Sequence, residues 1–336
     1  MKIKLFDPHV GIEEQQAIKR TLMSKFWASG QGNGNVSKFE KKFKRFINSD
    51  TCVAVNSGTA ALNLAVSLIP IKGKEVILPS LSFVSTANSV LINGGIPKFV
   101  EVEPDTLCID PISIKNSITK KTKLILPVHF GGFPCKLDEI KKIADKNACH
   151  IIEDAAHAVG SKFSTQKIGK HSFATCFSFH PVKNLAMPTG GLISINHPDH
   201  KKFEKKLKAL RWCGISNRKL TSYDVTELGN NYYMNEFSAA IGLVQLKKIN
   251  KLTKMRQKIA KKYFNEIDIE NKMPFDKRCS YHLYWICIKN RNKFRKLLKE
   301  KNIETGTHYK PIHTFTLYKK NFSLPLTEKI ANEIVT

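Results

Sequence analysis

From residue 50 onward the chain alternates short apolar runs with longer segments whose apolar positions recur every three or four residues. The runs are CVAVNS (52–57), EVILPS (75–80), IPKFVEVE (96–103), KLILPVHF (123–130), CHIIEDAA (149–156), FATCFSFH (173–180) and GGLISIN (190–196). They are short and rich in Val, Ile and Phe, which predicts strands buried on both faces. Helices are predicted between them, from Thr59, from about Val84 and over 137–147. Strand and helix in this rhythm predict an α/β fold with a mostly parallel, doubly wound sheet. A long amphipathic helix is predicted to begin near Met234, and its length suggests a bridge between two parts. Beyond it HLYWICI predicts a strand, RNKFRKLLKEKN a helix, and IETGTHYKPIH turns or a further strand. The expected organisation is a large α/β domain over 1–250 and a small α+β domain over 251–336. The pattern LPLTEKIANEIVT ends at Thr336 without a cap, which reads as a truncated small domain.

In doubly wound sheets, ligands sit at the carboxyl ends of the strands. The chemically capable residues of this chain fall there: Ser57, Ser82, Phe83, His129, Asp154 and Ser178, with Lys183 a few residues on. Lysine, carboxylate and hydroxyl on successive elements are what a protein needs to hold pyridoxal 5'-phosphate. The lysine amine condenses with the aldehyde, the carboxylate keeps the pyridine nitrogen protonated, and the hydroxyl binds the phosphate. NSGTAAL (56–62) joins a strand to a helix through Ser57, Gly58 and Thr59. Taken alone it is an ordinary helix cap or a monophosphate cradle; it matches neither a Walker loop nor a dinucleotide fingerprint. Phe83 is placed to stack on a ring or to fill the core, and His157 to meet the cofactor's phenolic oxygen or to be a satisfied loop histidine. Asn231, in GNNYYMNEF, is a phosphate ligand or simply a turn residue. HYKPIH supplies His308, Tyr309 and His313 as a substrate-contacting loop.

Composition removes several alternatives. With 55 Lys and Arg against 28 Asp and Glu, the net charge is +27. Most of that charge is lysine on polar helix faces such as KKFEKKLKAL, and arginine is the preferred reader of bases and phosphates. No nucleic-acid partner is therefore expected, although the diffuse positive field would attract an anionic substrate. The eight cysteines are scattered without a CxxC, and His308 and His313 lack a third ligand, so no metal is expected. There is no membrane-length apolar run and no secretory leader pattern, which predicts a cytoplasmic protein without a membrane partner.

Several ordered motifs then resemble one family. FWASGQG, VSKFEKKF, AVNSGTAALNLAV, EVILPSLSFVSTANSVL, FVEVEPDTLCID, LPVHFGG, IIEDAAHAVG, CFSFHPVKN, ALRWCGI, GNNYYMNEFSAAIGLVQL and IETGTHYKPIH follow the order and spacing of the DegT/DnrJ/EryC/StrS sugar aminotransferases. The resemblance implies a fold type I pyridoxal-phosphate transferase with a seven-stranded sheet. It implies Lys183 as the cofactor-linked lysine and acid/base, Asp154 as the pyridinium partner, His157 near the phenolic oxygen and Phe83 against the ring. Gly58, Thr59 and Ser178 would bind the phosphate, joined by Asn231 from the neighbouring subunit of a homodimer with shared active sites. The implied substrates are L-glutamate and a nucleotide-diphosphate ketosugar, in amino-sugar or surface-polysaccharide biosynthesis. A related branch carries His in place of the lysine and dehydrates its sugar; Lys183 favours transamination over that dehydratase or lyase chemistry. Intact Lys183 and Asp154 also stand against a non-catalytic ligand-sensing regulator. The chain departs from the family pattern at Tyr233, where Arg is usual, at Cys213, where His is usual, and at Ser82, where Thr is usual.

Overall fold

The computed structural model describes residues 2–319 and 322–336. Two N-terminal helices, α1 (Ile12–Met23) and α2 (Asn35–Ile47), precede the alternating region. There, β1 (Thr51–Val55), α3 (Gly58–Ser67), β2 (Glu75–Pro79), α4 (Ser85–Ile92) and β3 (Ile96–Val100) follow one another. Next come α5 (Pro111–Ser117), β4 (Thr122–Ile125), α6 (Leu137–Lys146) and β5 (His150–Asp154). A small hairpin, β6 (Lys162–Phe163) and β7 (Gln166–Lys167), leads to β8 (Ala174–Ser178) and β9 (Gly191–Ile195). After α7 (His200–Leu210), strands β10 (Ile215–Lys219) and β11 (Ser222–Val225) form a second hairpin.

Seven strands make the central sheet in the order β1-β9-β8-β5-β4-β2-β3. The expected seven-stranded, mostly parallel sheet is therefore present. β9 alone runs antiparallel, pairing with both β1 and β8. The unbroken hydrophobic runs follow from burial on both faces. Along β1, Cys52 and Ala54 join one core cluster while Val53 and Val55 join the other, the period-two alternation of a pleated strand. The first cluster takes Phe39 and Phe43 of α2, Ile140 of α6 and Ile249 of α8 (Glu236–Glu266). The second takes α3 almost whole, with Val90 of α4 and Leu207 of α7. Phe39 and Phe43 are fully buried, each stabilising by roughly 1.5–3 kcal/mol as an upper estimate.

The long helix α8 starts two residues later than its pattern suggests, because Asn235 caps it by accepting from the Ser238 N–H at 2.8 Å. It runs unbroken through residue 250, so the expected domain boundary falls inside it. Of HLYWICI only β12 (Ile286–Cys287) is a strand. After α9 (Arg291–Glu300), the segment 303–313 contributes no ladder beyond a single bridge from Ile303 to Ile3. Helix α10 (Pro325–Glu333) then gives way to β13 (Ile334–Val335), which pairs with β12. No helix among the described residues is long and apolar enough to cross a membrane.

Candidate active site

A cavity of about 390 Å³ opens at the carboxyl ends of β1, β2, β5 and β8. That is within the range of roughly 300–1,000 Å³ usual for small-molecule sites. Ser57, Gly58, Thr59, Phe83, Asp154, His157, Ser178, Lys183, His308 and Tyr309 all line it. Ten of the residues expected from sequence are thus brought together by strands that are remote in the chain.

The phosphate side is built by the turn from β1 into α3. Ser57 caps the helix by accepting from the Ala60 N–H at 3.1 Å, so its hydroxyl serves the backbone as well as the cavity wall. The first amides of α3, at Gly58 and Thr59, precede the first intrahelical bonds and are free to receive an anion. Thr59 Oγ1 lies 2.7 Å from Ser85 Oγ on α4. Position 58 accepts no side chain, because a Cβ there would stand 2.6 Å from Ser178 Cβ. The glycine lets the end of β8 close against the helix start, and Ser178 completes the cradle.

Asp154 ends β5 and is 4% exposed. Its Oδ1 accepts from the Ala156 N–H at 3.1 Å and its Oδ2 from the Thr86 hydroxyl at 2.8 Å. Burial pushes this carboxyl up from its usual range, and the two hydrogen bonds and the charge of Lys183 only partly oppose it. Lys183 acts through space, without a hydrogen bond to the carboxylate. A buried carboxylate that lines a cavity calls for a cation, and a protonated ring nitrogen is such a group. The Lys183 amine is itself lowered to about 8, chiefly by burial, with Asp154 pulling the other way.

His157 has a fixed tautomer. The Gly131 N–H donates to its Nδ1 at 3.2 Å, so Nδ1 carries no proton. Burial first, then Lys183 and His308, hold the ring well below its ordinary pKa, so it stays neutral. Its proton therefore sits on Nε2 and is donated to Tyr309 Oη at 3.0 Å. Burial raises the Tyr309 phenol above its ordinary value, so it keeps its proton and presents a donor to the cavity. His308 closes the same side, its ring lowered to about 4 by burial and then by Lys183. Phe83 projects into the opening at 57% exposure, its ring 6.2 Å from that of Tyr309.

Three expected residues stand outside this group. His313 does not join the substrate-contacting loop: its Nδ1 is 2.6 Å from Ser80 Oγ and its Nε2 3.1 Å from Glu328 Oε1, so both nitrogens serve the core. Asn231 is exposed, bridges to Trp212, and accepts from the Asn56 side chain only through its carbonyl at 3.3 Å. His129 is fully buried, with Nε2 2.8 Å from Glu153 and Nδ1 accepting from the Cys135 N–H, and it does not line the cavity. Thr86, Ser85 and His180 line it without having been singled out. For Thr86 the available signal was its place in the first turn of the helix that follows β2. No cluster of metal-binding groups occurs among the described residues.

A lysine and a buried carboxylate across a cavity from an amide-and-hydroxyl cradle define the class: a pyridoxal-phosphate enzyme. The sequence matches the DegT/DnrJ/EryC1/StrS aminotransferase family over residues 8–336, and the chain belongs to that family. It is a pyridoxal 5'-phosphate-dependent aminotransferase of fold type I, grouped with the sugar aminotransferases. It is 36% identical to the spore coat polysaccharide biosynthesis protein SpsC of Bacillus subtilis, over 94% of this chain and 85% of that protein. An uncharacterised protein of Methanocaldococcus jannaschii is also 36% identical, over 94% of this chain and 86% of its own length. Among solved structures, Helicobacter pylori PseC, an aminotransferase involved in pseudoaminic acid biosynthesis, superposes with a TM-score of 0.93. It is 26% identical, with 100% of this chain and 93% of that chain covered. The pyridoxal-phosphate form of a sugar aminotransferase from Streptococcus pneumoniae superposes at 0.93 with 25% identity, covering 100% and 93%.

Proposed function

We propose that this enzyme transfers the amino group of L-glutamate to a ketosugar carried on a nucleotide diphosphate, for amino-sugar or surface-polysaccharide biosynthesis. The observation that carries the reading is that one cavity is lined both by Lys183 and Asp154 and by the Gly58–Thr59–Ser178 cradle. The relatives named for spore coat polysaccharide and pseudoaminic acid biosynthesis support the sugar class.

When bound, the pyridoxal ring supplies an electron sink for charge developing beside the transferred nitrogen. In this reading Asp154 holds a proton on the ring nitrogen, and the amides of Gly58 and Thr59 with the Ser178 hydroxyl hold the phosphate. Lys183, with an amine near 8, releases and takes back a proton close to neutral pH, which suits an acid/base. His157 and Tyr309 form a neutral donor chain in the cavity wall, and the exposed ring of Phe83 would stack on the cofactor. Dehydration is disfavoured by the retention of Lys183.

The purified enzyme, loaded with cofactor, is tested with L-glutamate and a panel of nucleotide 3-keto- and 4-keto-sugars while 2-oxoglutarate release is followed. Release with one nucleotide sugar, and much less with its free sugar, is the expected result. Equal rates with the free sugar would remove the nucleotide from the reading.

The proposal extends to a homodimer with shared sites, in which Asn231 reaches the phosphate of the neighbouring subunit. Its side chain is exposed and absent from the walls of its own cavity, as such a crossing residue should be. Mixing inactive Lys183→Ala and inactive Asn231→Ala chains is expected to restore activity, since one of the mixed sites regains both groups. Subunits that exchange freely without any restoration would contradict the crossing.

A further inference from the structure

Sequence reading gave Asp154 a partner on the cofactor but nothing to hold the carboxylate itself. The structure supplies a chain of two hydroxyls. Thr86 Oγ1 is 2.8 Å from Asp154 Oδ2, and Ser82 Oγ is 2.8 Å from Thr86 Oγ1. All three side chains are buried and all three line the cavity. We infer that Ser82 and Thr86 are positioning residues that keep Asp154 ionised and aimed at the cofactor's ring nitrogen. The inference rests on the role proposed above for Asp154 and adds residues that no sequence motif assigned.

The direction of the chain follows from counting protons. Thr86 Oγ1 has two hydrogen-bond partners among the described residues, Asp154 and Ser82, and Ser82 Oγ has one, Thr86. If Thr86 donates to the carboxylate and Ser82 donates to Thr86, each hydroxyl proton has an acceptor. If Oδ2 of Asp154 took a proton and gave it to Thr86, Thr86 would have to donate back to Ser82. The Ser82 proton would then lose the acceptor it has among the described residues. Hydrogen bonds donated to a carboxylate strengthen with its charge, so a Thr86 that donates to Oδ2 favours the anion of Asp154. It opposes the burial that drives this carboxyl the other way.

Local structure explains why these two positions do it. Ser82 lies in the turn that leads into α4 and Thr86 in the first turn of that helix, and the turn folds the Ser82 hydroxyl back onto that of Thr86. Thr86 is fully buried, so the packing around it and its two hydrogen-bond partners hold its hydroxyl in place. The other carboxylate oxygen is fixed by the main-chain N–H of Ala156, which cannot rotate away. Asp154 is thus held at both of its oxygens.

The test uses the full chain, loaded with pyridoxal phosphate, as Thr86→Val, Thr86→Ser, Ser82→Ala and Asp154→Asn. Two quantities are measured: the cofactor dissociation constant and the pH midpoint of the visible absorption of the Lys183-linked cofactor. Removing a hydrogen bond to a charged group is worth on the order of 10-fold. Thr86→Val is expected to weaken cofactor binding about 10-fold and to raise the midpoint by about one pH unit. The midpoint rises because a less firmly protonated ring nitrogen withdraws less charge from the linked nitrogen. Ser82→Ala should act in the same direction with about a third of the effect, and Thr86→Ser, which keeps the hydroxyl, should restore wild-type values within about twofold.

A purely structural role would lower the melting temperature and leave the midpoint where it was, and that pattern overturns the inference. An unmoved midpoint in Thr86→Val beside a moved one in Asp154→Asn also overturns it, while leaving the Asp154 assignment standing. If Asp154→Asn itself leaves both quantities unchanged, the cofactor reading fails and the positioning role fails with it. Should Thr86→Val not fold, Ser82→Ala carries the same test, because it leaves α4 untouched.

Discussion

Lys183→Ala is expected to abolish covalent attachment of the cofactor and to lower transamination on the order of 10⁴-fold, about 5.5 kcal/mol of barrier. The loss is large because one amine serves both as the link and as the proton carrier, and nothing else lining the cavity replaces it. The neighbouring histidines are held neutral by burial: His157 lies well below its ordinary pKa and His308 is lowered to about 4. Borohydride treatment of the loaded wild-type enzyme should fix the label on Lys183, and a label on another lysine would refute the assignment. The same environment sets a pH dependence. Burial lowers the amine to about 8, and Asp154 raises it by less. Only the neutral amine attacks the aldehyde. Capture of pyridoxal phosphate by stripped protein should therefore accelerate about tenfold per pH unit below 8 and level off above it. A rate constant that stays flat across that interval would contradict a buried amine with this pKa.

Asp154→Asn should retain the cofactor, more loosely, and lose activity by about 10²- to 10³-fold, roughly 2.7–4 kcal/mol. The amide matches the carboxylate in shape, and its oxygen can still accept from the Ala156 N–H, while its NH2 then faces Thr86, whose hydroxyl must turn to accept. It carries no charge to stabilise a proton on the ring nitrogen, so the electron sink is weakened while the pocket keeps its form. Single-turnover rates with glutamate, measured at saturating cofactor, separate this loss from weaker cofactor binding. A decrease of less than about tenfold, roughly 1.4 kcal/mol, would show that Asp154 does not supply the charge the reaction uses.

These two residues were legible in the sequence because their context is local. Asp154 closes an apolar strand and Lys183 follows another, and a strand's carboxyl end is a position that periodicity reveals. The alternation along β1, the helix start at Gly58 and the clustering of chemistry at strand ends were available for the same reason. What depended on distant parts of the chain was not. The order β1-β9-β8-β5-β4-β2-β3, with β9 reversed, is fixed by how strands separated by up to 140 residues meet. His313 shares a motif with His308 and Tyr309, yet Ser80 and Glu328 draw it into the core. The tautomer of His157 depends on the N–H of Gly131, and one oxygen of Asp154 is held by a hydroxyl 68 residues earlier. Pattern along a chain records which face of an element is buried. The partner that satisfies each buried polar atom is chosen in three dimensions, where hydrogen bonds join residues without regard to their separation in sequence.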